Sequence, residues 1–353
     1  MELEFDKIQN TNIKSLNKLI TPKKLIEELP SLDFVYKIFF NREIISNIIS
    51  YKDPRLLFIV GPCSIHNIEE AKEYGAKLAK LAKKVEDKIH IVMRVYFEKP
   101  RSTTGWKGFI NDPNLNNTCD INNGLYKARE LLIYLNSINI PCAYEILDTL
   151  TPQYIGDLIS WGAIGARTTE SQVHRQLVSG LSIPVGFKNS TSGNVDICID
   201  AILSSKYPHS FMGITDEGMA AIFHTNGNNN CHIILRGGKT PNYNKENIEQ
   251  VENLLKERDI KTRILVDCSH GNSQKDHTKQ ENILNDVILQ IKRGNKSIMG
   301  VMIESNINEG NQKLDFNNPQ LLENGVSITD SCIDFETTER MIFKSYEKIS
   351  NFK

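Results

Sequence analysis

SIMGVMIE, residues 297–304, is the stretch that decides the fold: a β-branched apolar run that stops at a residue able to do chemistry, Glu304. Seven other apolar runs lead in the same way into reactive or charged side chains, namely Cys63, Arg94, Glu145, Arg167, Lys188, Arg236 and His270. Short apolar runs separated by helix-length segments are typical of parallel strands buried on both faces. In a (β/α)8 barrel the carboxyl ends of eight such strands meet at one mouth, where catalysis takes place. The sequence therefore predicts an α/β protein of the TIM-barrel class, and an enzyme.

Segments with the spacing of amphipathic helices separate the runs. They cover residues 69–84, 124–136, 152–161, 170–179, 194–205, 245–258, 280–293 and 334–350. The connection before the sixth strand differs, because residues from about 210 to 231 alternate without reaching helical length. We expect an inserted β-hairpin there. Residues 51–353, with this hairpin, form the predicted catalytic barrel.

Residues 1–50 stand apart from the barrel pattern and predict an N-terminal arm with helices. Thr21 followed by Pro22 is typical of an N-cap and a first helical residue, and this helix should run to about Leu29. Ser31 is the candidate cap of a second helix that extends towards Ile49. The two helices either plug the bottom of the barrel or form a subunit contact or regulatory arm. The sequence alone leaves both alternatives open.

Composition limits the class of protein and its partners. The 353 residues exceed the roughly 250 that an isolated barrel needs, so appendages are expected. A formal net charge of −1 gives no global field for nucleic acid or an anionic membrane. Seven cysteines without paired spacing fit a reduced protein. Because no signal peptide and no run of membrane-spanning length is visible, we expect a cytoplasmic protein.

Five basic residues lie at, or just beyond, separate predicted strand ends: Arg94, Lys99, Arg167, Lys188 and Arg236. A single basic residue at such a place is usually part of a surface salt bridge. Five that converge on one mouth repel each other unless a polyanion occupies the space between them. Arginine and lysine are the side chains that bind phosphates and carboxylates. We therefore expect a substrate with at least one phosphate and a carboxylate.

A second set of residues carries ligand chemistry. Cys63, His270 and Glu304 follow the first, seventh and eighth runs, and Asp330 lies in a loop beyond them. A thiolate, an imidazole and two carboxylates suit a divalent transition ion better than magnesium or calcium. The alternative is a buried cysteine that acts as a small hydrophobe and a histidine satisfied within a loop. Spacing alone does not decide between these two alternatives.

Two loops after strands are further candidates for binding anions. Residues 98–108 are cationic and rich in hydroxyls, so they suit a phosphate cradle, although a solvated linker is the alternative. After Arg167, Thr168 or Thr169 is a candidate cap of the next helix, whose N-terminus would favour an anion. Neither a P-loop nor a strand-linked GxGxxG motif is present, so the sequence does not support nucleotide binding.

The motifs at the strand ends resemble those of the type I 3-deoxy-D-arabino-heptulosonate-7-phosphate (DAHP) synthases, the feedback-regulated bacterial and fungal type. They are GPCSIH (61–66), MRVYFEKPR (93–101), GARTTESQ (165–172), PVGFKN (184–189), HIILRGGK (232–239), DCSHGN (267–272), IESN (303–306) and SITD (327–330). The resemblance implies a reaction in which phosphoenolpyruvate condenses with D-erythrose 4-phosphate and water. The products are DAHP and phosphate, in the first step towards chorismate and the aromatic amino acids.

The resemblance also implies roles for residues that match the family's motifs. The implied ligands of one divalent ion (Mn, Fe, Zn or Co) are Cys63, His270, Glu304 and Asp330. The implied phosphoenolpyruvate cradle consists of Arg94, Lys99, Arg167, Lys188, Arg236 and the backbone of Ala166. The implied erythrose 4-phosphate side consists of Lys99, Pro100, Arg101 and Ser102, where Ser102 replaces the usual threonine. Lys99 is the candidate for proton transfer and Glu145 the candidate that orients the attacking water. The family's AsnGlyThrAspGly reads NSTSG at residues 189–193, which leaves the shape of that loop open.

Regulation is implied in the same way. An effector pocket near a subunit interface is expected from residues that match pocket positions: Gln153, Ser182, Phe211 and Gly213. Phenylalanine-sensitive relatives tend to have serine in place of Gly213, whereas glycine is common in tyrosine-sensitive ones, so we expect tyrosine as the effector. A homodimer or homotetramer is expected. Two alternatives remain: a synthase that uses arabinose 5-phosphate, and a non-catalytic regulatory homologue.

Overall fold

The computed structural model describes residues 8–350, so the first seven residues of the predicted arm and residues 351–353 lie outside it. Its ten strands are β1 (Leu56–Gly61), β2 (Ile89–Arg94), β3 (Cys142–Glu145), β4 (Trp161–Ile164), β5 (Val185–Lys188), β6 (Ser210–Ile214), β7 (Ala220–His224), β8 (Cys231–Leu235), β9 (Ile264–Asp267) and β10 (Ile298–Glu304). In this part of the chain, eight parallel strands close a barrel in the order β1-β2-β3-β4-β5-β8-β9-β10, and β6 pairs with β7. The predicted TIM barrel is confirmed.

Helices surround the barrel. Those of the described residues are α1 (Pro22–Glu28), α2 (Val35–Ile49), α3 (Ile68–Val85), α4 (Ile121–Ser137), α5 (Thr151–Ile155), α6 (Gln172–Gly180), α7 (Asp196–Lys206), α8 (Lys245–Glu257), α9 (Gln280–Lys292) and α10 (Phe335–Ser350). None of these helices combines the length and the apolarity that crossing a membrane requires.

One predicted helix was too long. Residues 152–161 were expected to be helical, but α5 ends at Ile155, a 3-10 turn follows over Gly156–Leu158, and Trp161 begins β4. Trp161 is fully buried inside the barrel, where its indole N–H donates to Nε2 of His232 at 2.9 Å. Burial of the large indole therefore outweighs the helical spacing. β4 also ends earlier than expected, at Ile164, because the backbone N–H groups of Thr168 and Thr169 turn back onto the Gly165 carbonyl.

The second N-terminal helix, α2, contacts the barrel from below. Ile45, Ile48 and Ile49 of α2 share one buried apolar cluster with inward-facing barrel residues such as Leu57 and Met302. Of the two alternatives for this segment, this contact supports the one in which it plugs the bottom of the barrel. A role in subunit contact or regulation stays a prediction.

The predicted caps of the N-terminal helices have different outcomes. Thr21 caps α1, because its hydroxyl oxygen accepts the backbone N–H of Lys24 at 3.3 Å. The cap predicted at Ser31 is wrong. A 3-10 turn, Leu32–Phe34, separates Ser31 from α2, and the Ser31 hydroxyl makes no capping hydrogen bond.

The inserted hairpin consists of β6 and β7, with Phe211 directly opposite Phe223. β6 packs against α6 on the outside of the barrel. The insertion ends before residue 231, the predicted limit, because Cys231 is buried as the first residue of the barrel strand β8.

Candidate active site

The upper layer of the barrel interior is charged. Five barrel strands end on charged side chains, each at most 6% exposed: Arg94, Glu145, Lys188, Asp267 and Glu304. Buried charges are costly unless they are paired, and here the pairs are made across the barrel. Arg94 Nη2 lies 3.0 Å from Glu304 Oε1, and Lys188 Nζ lies 3.4 Å from Asp267 Oδ2 and 3.8 Å from Glu145 Oε2.

A cavity of about 310 Å³ opens above this layer. The predicted site residues that line it are Lys99, Pro100, Arg101, Glu145, Ala166, Arg167, Lys188, Arg236, His270, Glu304 and Asp330. Three predicted residues are not part of its wall. Cys63 and Arg94 are fully buried beneath it, and Ser102 is exposed on the 98–108 loop. The cavity thus collects four of the five predicted cations around one space.

Arg94 lies below the cavity. Its Nε donates to the Pro62 carbonyl at 3.2 Å, and its guanidinium lies 4.0 Å from the ring centroid of Tyr96. These two partners hold the guanidinium in place, so that its Nη2 contacts the Glu304 carboxylate from beneath, at 3.0 Å. Arg94 is therefore placed to hold Glu304 and to add positive potential under the cavity.

Three of the four predicted metal ligands form one cluster at one side of the cavity, and His270 stands beside it. The ligand atoms of Cys63, Glu304 and Asp330 all lie within 4.8 Å of one another. Nε2 of His270 lies 3.7 Å from Glu304 Oε1. Its other ring nitrogen, Nδ1, lies 2.9 Å from Asp267 Oδ2, so Nε2 is the nitrogen left for a metal. A thiol and two carboxylates within 4.8 Å of one another, with an imidazole beside them, fit a divalent transition ion.

The environment of Cys63 agrees with this fit. Burial raises the pKa of its thiol to about 11, Glu304 acts in the same direction, and Lys99 opposes the change. Lys99 Nζ lies 3.2 Å from both the sulfur and the carbonyl oxygen of Cys63. A coordinated ion takes the place of the thiol proton, so such a cysteine becomes a thiolate when metal binds.

Glu145 is an ionised carboxylate despite its burial. Burial alone would raise its pKa, but Lys188 and Lys99 outweigh that effect and hold the pKa below its usual value. The carboxylate fits because residue 165 is glycine: a Cβ there would lie 2.5 Å from Glu145 Oε1.

The loop at residues 98–108 is tied together by internal contacts, while its tip, residues 101–105, is exposed. Glu98 and Gly108 form an antiparallel bridge, and Arg101 Nε donates to the Trp106 carbonyl at 2.8 Å. Glu98 is buried and accepts hydrogen bonds from Tyr144 and Thr151. Burial raises the pKa of its carboxyl to about 7.

The helix cap predicted at Thr168 or Thr169 is wrong. The Thr168 hydroxyl donates to the Gly165 carbonyl at 3.2 Å, the Thr169 hydroxyl is closest to the Lys188 carbonyl, at 2.8 Å, and α6 begins only at Gln172. Because β4 ends early, these threonines close the turn that carries Arg167 rather than the helix that follows.

Sequence reasoning missed several polar residues of the cavity wall: Thr191, Ser269, Ser273, Lys275, His277, Asn311, Thr329 and Ser331. Most of them lie close in sequence to a predicted ligand, within or just beyond the DCSHGN and SITD motifs. That proximity is the signal that could have found them.

A second cavity, of about 670 Å³, lies outside the barrel between α5, α6 and the hairpin. All four predicted effector residues line it: Gln153, Ser182, Phe211 and Gly213. The rings of Phe211 and Phe223 stack in its wall, with centroids 5.7 Å apart and planes at 13°. Tyr144, which bonds to Glu98, also lines this cavity.

Several large apolar side chains are exposed near the N-terminus and on the hairpin. The most exposed of them are Ile8, Leu16, Leu32, Tyr36 and Met212, each at least 78% accessible. Contiguous apolar patches on a protein surface mark sites of interaction.

Known proteins are similar to this chain in sequence and fold. The chain matches the DAHP synthetase I family over residues 25–342. It is 47% identical to the Tyr-sensitive phospho-2-dehydro-3-deoxyheptonate aldolase of Salmonella typhimurium, over 99% of this chain and 98% of that protein. It is 49% identical to the Phe-sensitive enzyme of Escherichia coli K12, over 94% of each chain. The solved structure of phospho-2-dehydro-3-deoxyheptonate aldolase from Francisella tularensis SCHU S4 is 50% identical and superposes with a TM-score of 0.93, over 96% of this chain and 99% of that one. The chain therefore belongs to the DAHP synthetase I family.

Proposed function

We propose that this member of the family condenses phosphoenolpyruvate with D-erythrose 4-phosphate and water to give DAHP and phosphate. The observation that carries the proposal is the convergence of four cations, an imidazole and two carboxylates on one cavity, with the Cys63 thiol buried beneath it. A non-catalytic homologue would have no need to keep both the cations and the metal-ligating side chains. The alternative aldose, arabinose 5-phosphate, is not favoured by the family to which the chain belongs.

Cys63, His270, Glu304 and Asp330 would hold one divalent ion, and this donor set admits Mn, Fe, Zn or Co. A bound ion of this kind supplies Lewis acidity to a carbonyl oxygen. Arg94 and Lys99 hold Glu304 and Cys63 from the protein side, at 3.0 and 3.2 Å.

The phosphoenolpyruvate cradle is formed by Arg167, Lys188 and Arg236, with the Ala166 backbone beside them and Arg94 below. Lys188 is buried and offers a compact point charge, whereas the two arginines offer planar forks that suit phosphate and carboxylate oxygens. This division fits a substrate with both kinds of anionic group.

Pro100 and Arg101, from the 98–108 loop, face erythrose 4-phosphate across the same cavity. Ser102 extends this surface from its exposed position on the loop. Because Arg101 is tied to the Trp106 carbonyl at 2.8 Å, its guanidinium is held at the rim, where it suits a phosphate.

The reaction follows from these positions. C3 of phosphoenolpyruvate forms a bond to the aldehyde carbon of erythrose 4-phosphate, and the carbonyl electron pair moves to oxygen. Lys99 donates a proton to that alkoxide. Water adds to the cationic C2, and ionised Glu145 orients it and accepts its proton. The C2 hydroxyl then gives its proton to the departing phosphate as the C–O bond of the hemiketal phosphate breaks, which releases inorganic phosphate and leaves the C2 ketone. Transfer of the proton held by Glu145 to Lys99 restores both side chains.

Regulation and assembly complete the proposal. Tyrosine would bind in the 670 Å³ cavity, where Gly213 leaves room beside the two stacked phenylalanines. The Tyr-sensitive relative supports this choice of effector. The exposed apolar side chains of the N-terminal segment and the hairpin support a homodimer or homotetramer. The free state of the cysteines supports a reducing, cytoplasmic location.

The test is consumption of phosphoenolpyruvate with erythrose 4-phosphate or arabinose 5-phosphate, each with and without a chelator. We expect phosphoenolpyruvate to be consumed with erythrose 4-phosphate but not with arabinose 5-phosphate. The chelator should abolish this consumption, and addition of Mn²⁺ should restore it. Turnover with arabinose 5-phosphate, or full activity in chelator, would reject the proposal.

A further inference from the structure

Asp267, at the end of β9, is the carboxylate that contacts both halves of the proposed site. Its Oδ2 lies 2.9 Å from Nδ1 of His270 and 3.4 Å from Nζ of Lys188. Its Oδ1 accepts the backbone N–H of Ser269 at 2.9 Å and the Ser269 hydroxyl at 2.8 Å. The side chain is fully buried. One carboxylate is thus shared between a proposed metal ligand and a proposed substrate cation.

Asp267 and Ser269 together set the orientation of His270. The Ser269 hydroxyl donates its one proton to Asp267 Oδ1 at 2.8 Å, so its oxygen accepts from Nδ1 of His270 at 2.6 Å. Nδ1 therefore carries the ring proton and Nε2 keeps its lone pair. The negative charge of Asp267, with Oδ2 2.9 Å from Nδ1, favours the same side of the ring. The backbone of His270 is left-handed, with φ of 55°, a conformation that a residue with a side chain keeps only where its surroundings hold it. Nε2 then lies on the side of Glu304, at 3.7 Å.

Lys188 is shared between two carboxylates. Its ammonium is 3% exposed and lies 3.4 Å from Asp267 and 3.8 Å from Glu145. A phosphoenolpyruvate anion at this lysine competes with both carboxylates for its charge. The Asp267 carboxylate then keeps two side-chain partners, His270 and Ser269.

We propose that Asp267 is a positioning residue that couples metal binding to phosphoenolpyruvate binding, an inference that rests on the proposed function. When an anion draws the charge of Lys188 away, Asp267 polarises His270 more strongly, and Nε2 becomes a better donor for the ion. Coupling between two binding sites is reciprocal, so the ion strengthens phosphoenolpyruvate binding by the same factor.

The experiment measures Mn²⁺ binding from the electron paramagnetic resonance signal of the free ion, with and without phosphoenolpyruvate. Erythrose 4-phosphate is left out, so no turnover occurs. The proteins are the wild type, Asp267→Asn and the control Asp200→Asn, which removes an exposed carboxylate on α7 that lies 3.7 Å from Arg258. We expect phosphoenolpyruvate to lower the Mn²⁺ Kd of wild type and control alike. In Asp267→Asn the Mn²⁺ Kd should rise about 10- to 100-fold. The effect of phosphoenolpyruvate on that Kd should shrink at least about fivefold.

A second variant guards against failure of Asp267→Asn to fold. Ser269→Ala keeps the carboxylate but removes the hydroxyl that supports both Asp267 and His270, so a rise of roughly three- to tenfold in the Mn²⁺ Kd is expected. A wild-type Kd and wild-type coupling in Asp267→Asn, or in Ser269→Ala if the first variant does not fold, would overturn the role of Asp267 alone. Absence of Mn²⁺ binding in the wild type would overturn the proposed function together with it.

Discussion

Gly213 in β6 allows a sharp test of the effector cavity. A Cβ at this position would lie 2.8 Å from Cε2 and 2.9 Å from Cδ2 of Phe223. Carbon atoms in contact prefer roughly 3.5–4.0 Å, so in Gly213→Ala the Phe223 ring must move by about 0.7 Å or more. That ring is stacked on Phe211, and both rings stand in the wall of the cavity.

The size of the effect follows from the stacked pair. Such aromatic pairs contribute about 0.5–1.5 kcal/mol beyond their buried area. If Gly213→Ala disrupts the pair, the cavity loses this stabilisation in the form that binds the effector. The effector concentration for half-inhibition then rises roughly two- to tenfold. The assay is phosphoenolpyruvate consumption at increasing tyrosine concentration, and activity without tyrosine should be unchanged in Gly213→Ala.

Gly156→Ala is the matched control. Gly156 lines the same cavity, but a Cβ at this position would meet no heavy atom within 4 Å, and the backbone is helical, with φ of −61° and ψ of −29°. We expect half-inhibition within about twofold of wild type, and a gain in unfolding free energy of about 0.4–1 kcal/mol. Unchanged tyrosine inhibition in Gly213→Ala, or an equal loss in both variants, would refute the reasoning from the ring contact.

Three further variants test the barrel interior and its surroundings. Gly165→Ala places a Cβ 2.5 Å from Glu145 Oε1, so the carboxylate must move and kcat should fall about 100-fold. A kcat near the wild-type value in steady-state kinetics would contradict this. Burial raises the pKa of Glu98 from 4.5 to about 7, so the folded protein holds a proton that the unfolded chain has lost. The stability of the wild type relative to Glu98→Gln, measured by urea unfolding, should therefore decline as pH rises from 4.5 to about 7, and a flat difference would count against it. Arg129→Met removes the guanidinium that holds Asp157 at 2.7 Å, and the free energy of unfolding should fall by at least about 2 kcal/mol, whereas a loss within error would show that the pair contributes little.

The barrel and most of its cavity could be predicted because both depend on local patterns. An apolar run predicts a buried strand, and the residue that ends it, such as Lys188 or Glu304, is carried to the mouth by the barrel itself. The helix caps could not be predicted in this way. Ser31 and Thr168 have the chemistry of caps, but a 3-10 turn separates Ser31 from α2 and the Thr168 hydroxyl bonds to the Gly165 carbonyl, so neither residue caps a helix.

Asp267 shows a second limit of sequence reasoning. It stands in the DCSHGN motif, yet its position between His270 and Lys188 depends on two strands that are not neighbours in the chain. Arg94 was expected in the cradle, but the side-chain direction that places it beneath Glu304 follows from the alternation of β2 within the closed barrel. Such relations emerge only when the strands are arranged in space.

The most direct test of the central claim, that the strand ends build one metal and anion site, is a crystal structure of the protein with Mn²⁺ and phosphoenolpyruvate, with the ion located by its anomalous scattering. We expect one peak bonded to Cys63, His270, Glu304 and Asp330, at roughly 2.0–2.6 Å. The anion should lie beside it, in contact with Lys188. A peak outside this cluster, or phosphoenolpyruvate bound away from that lysine, would contradict the account.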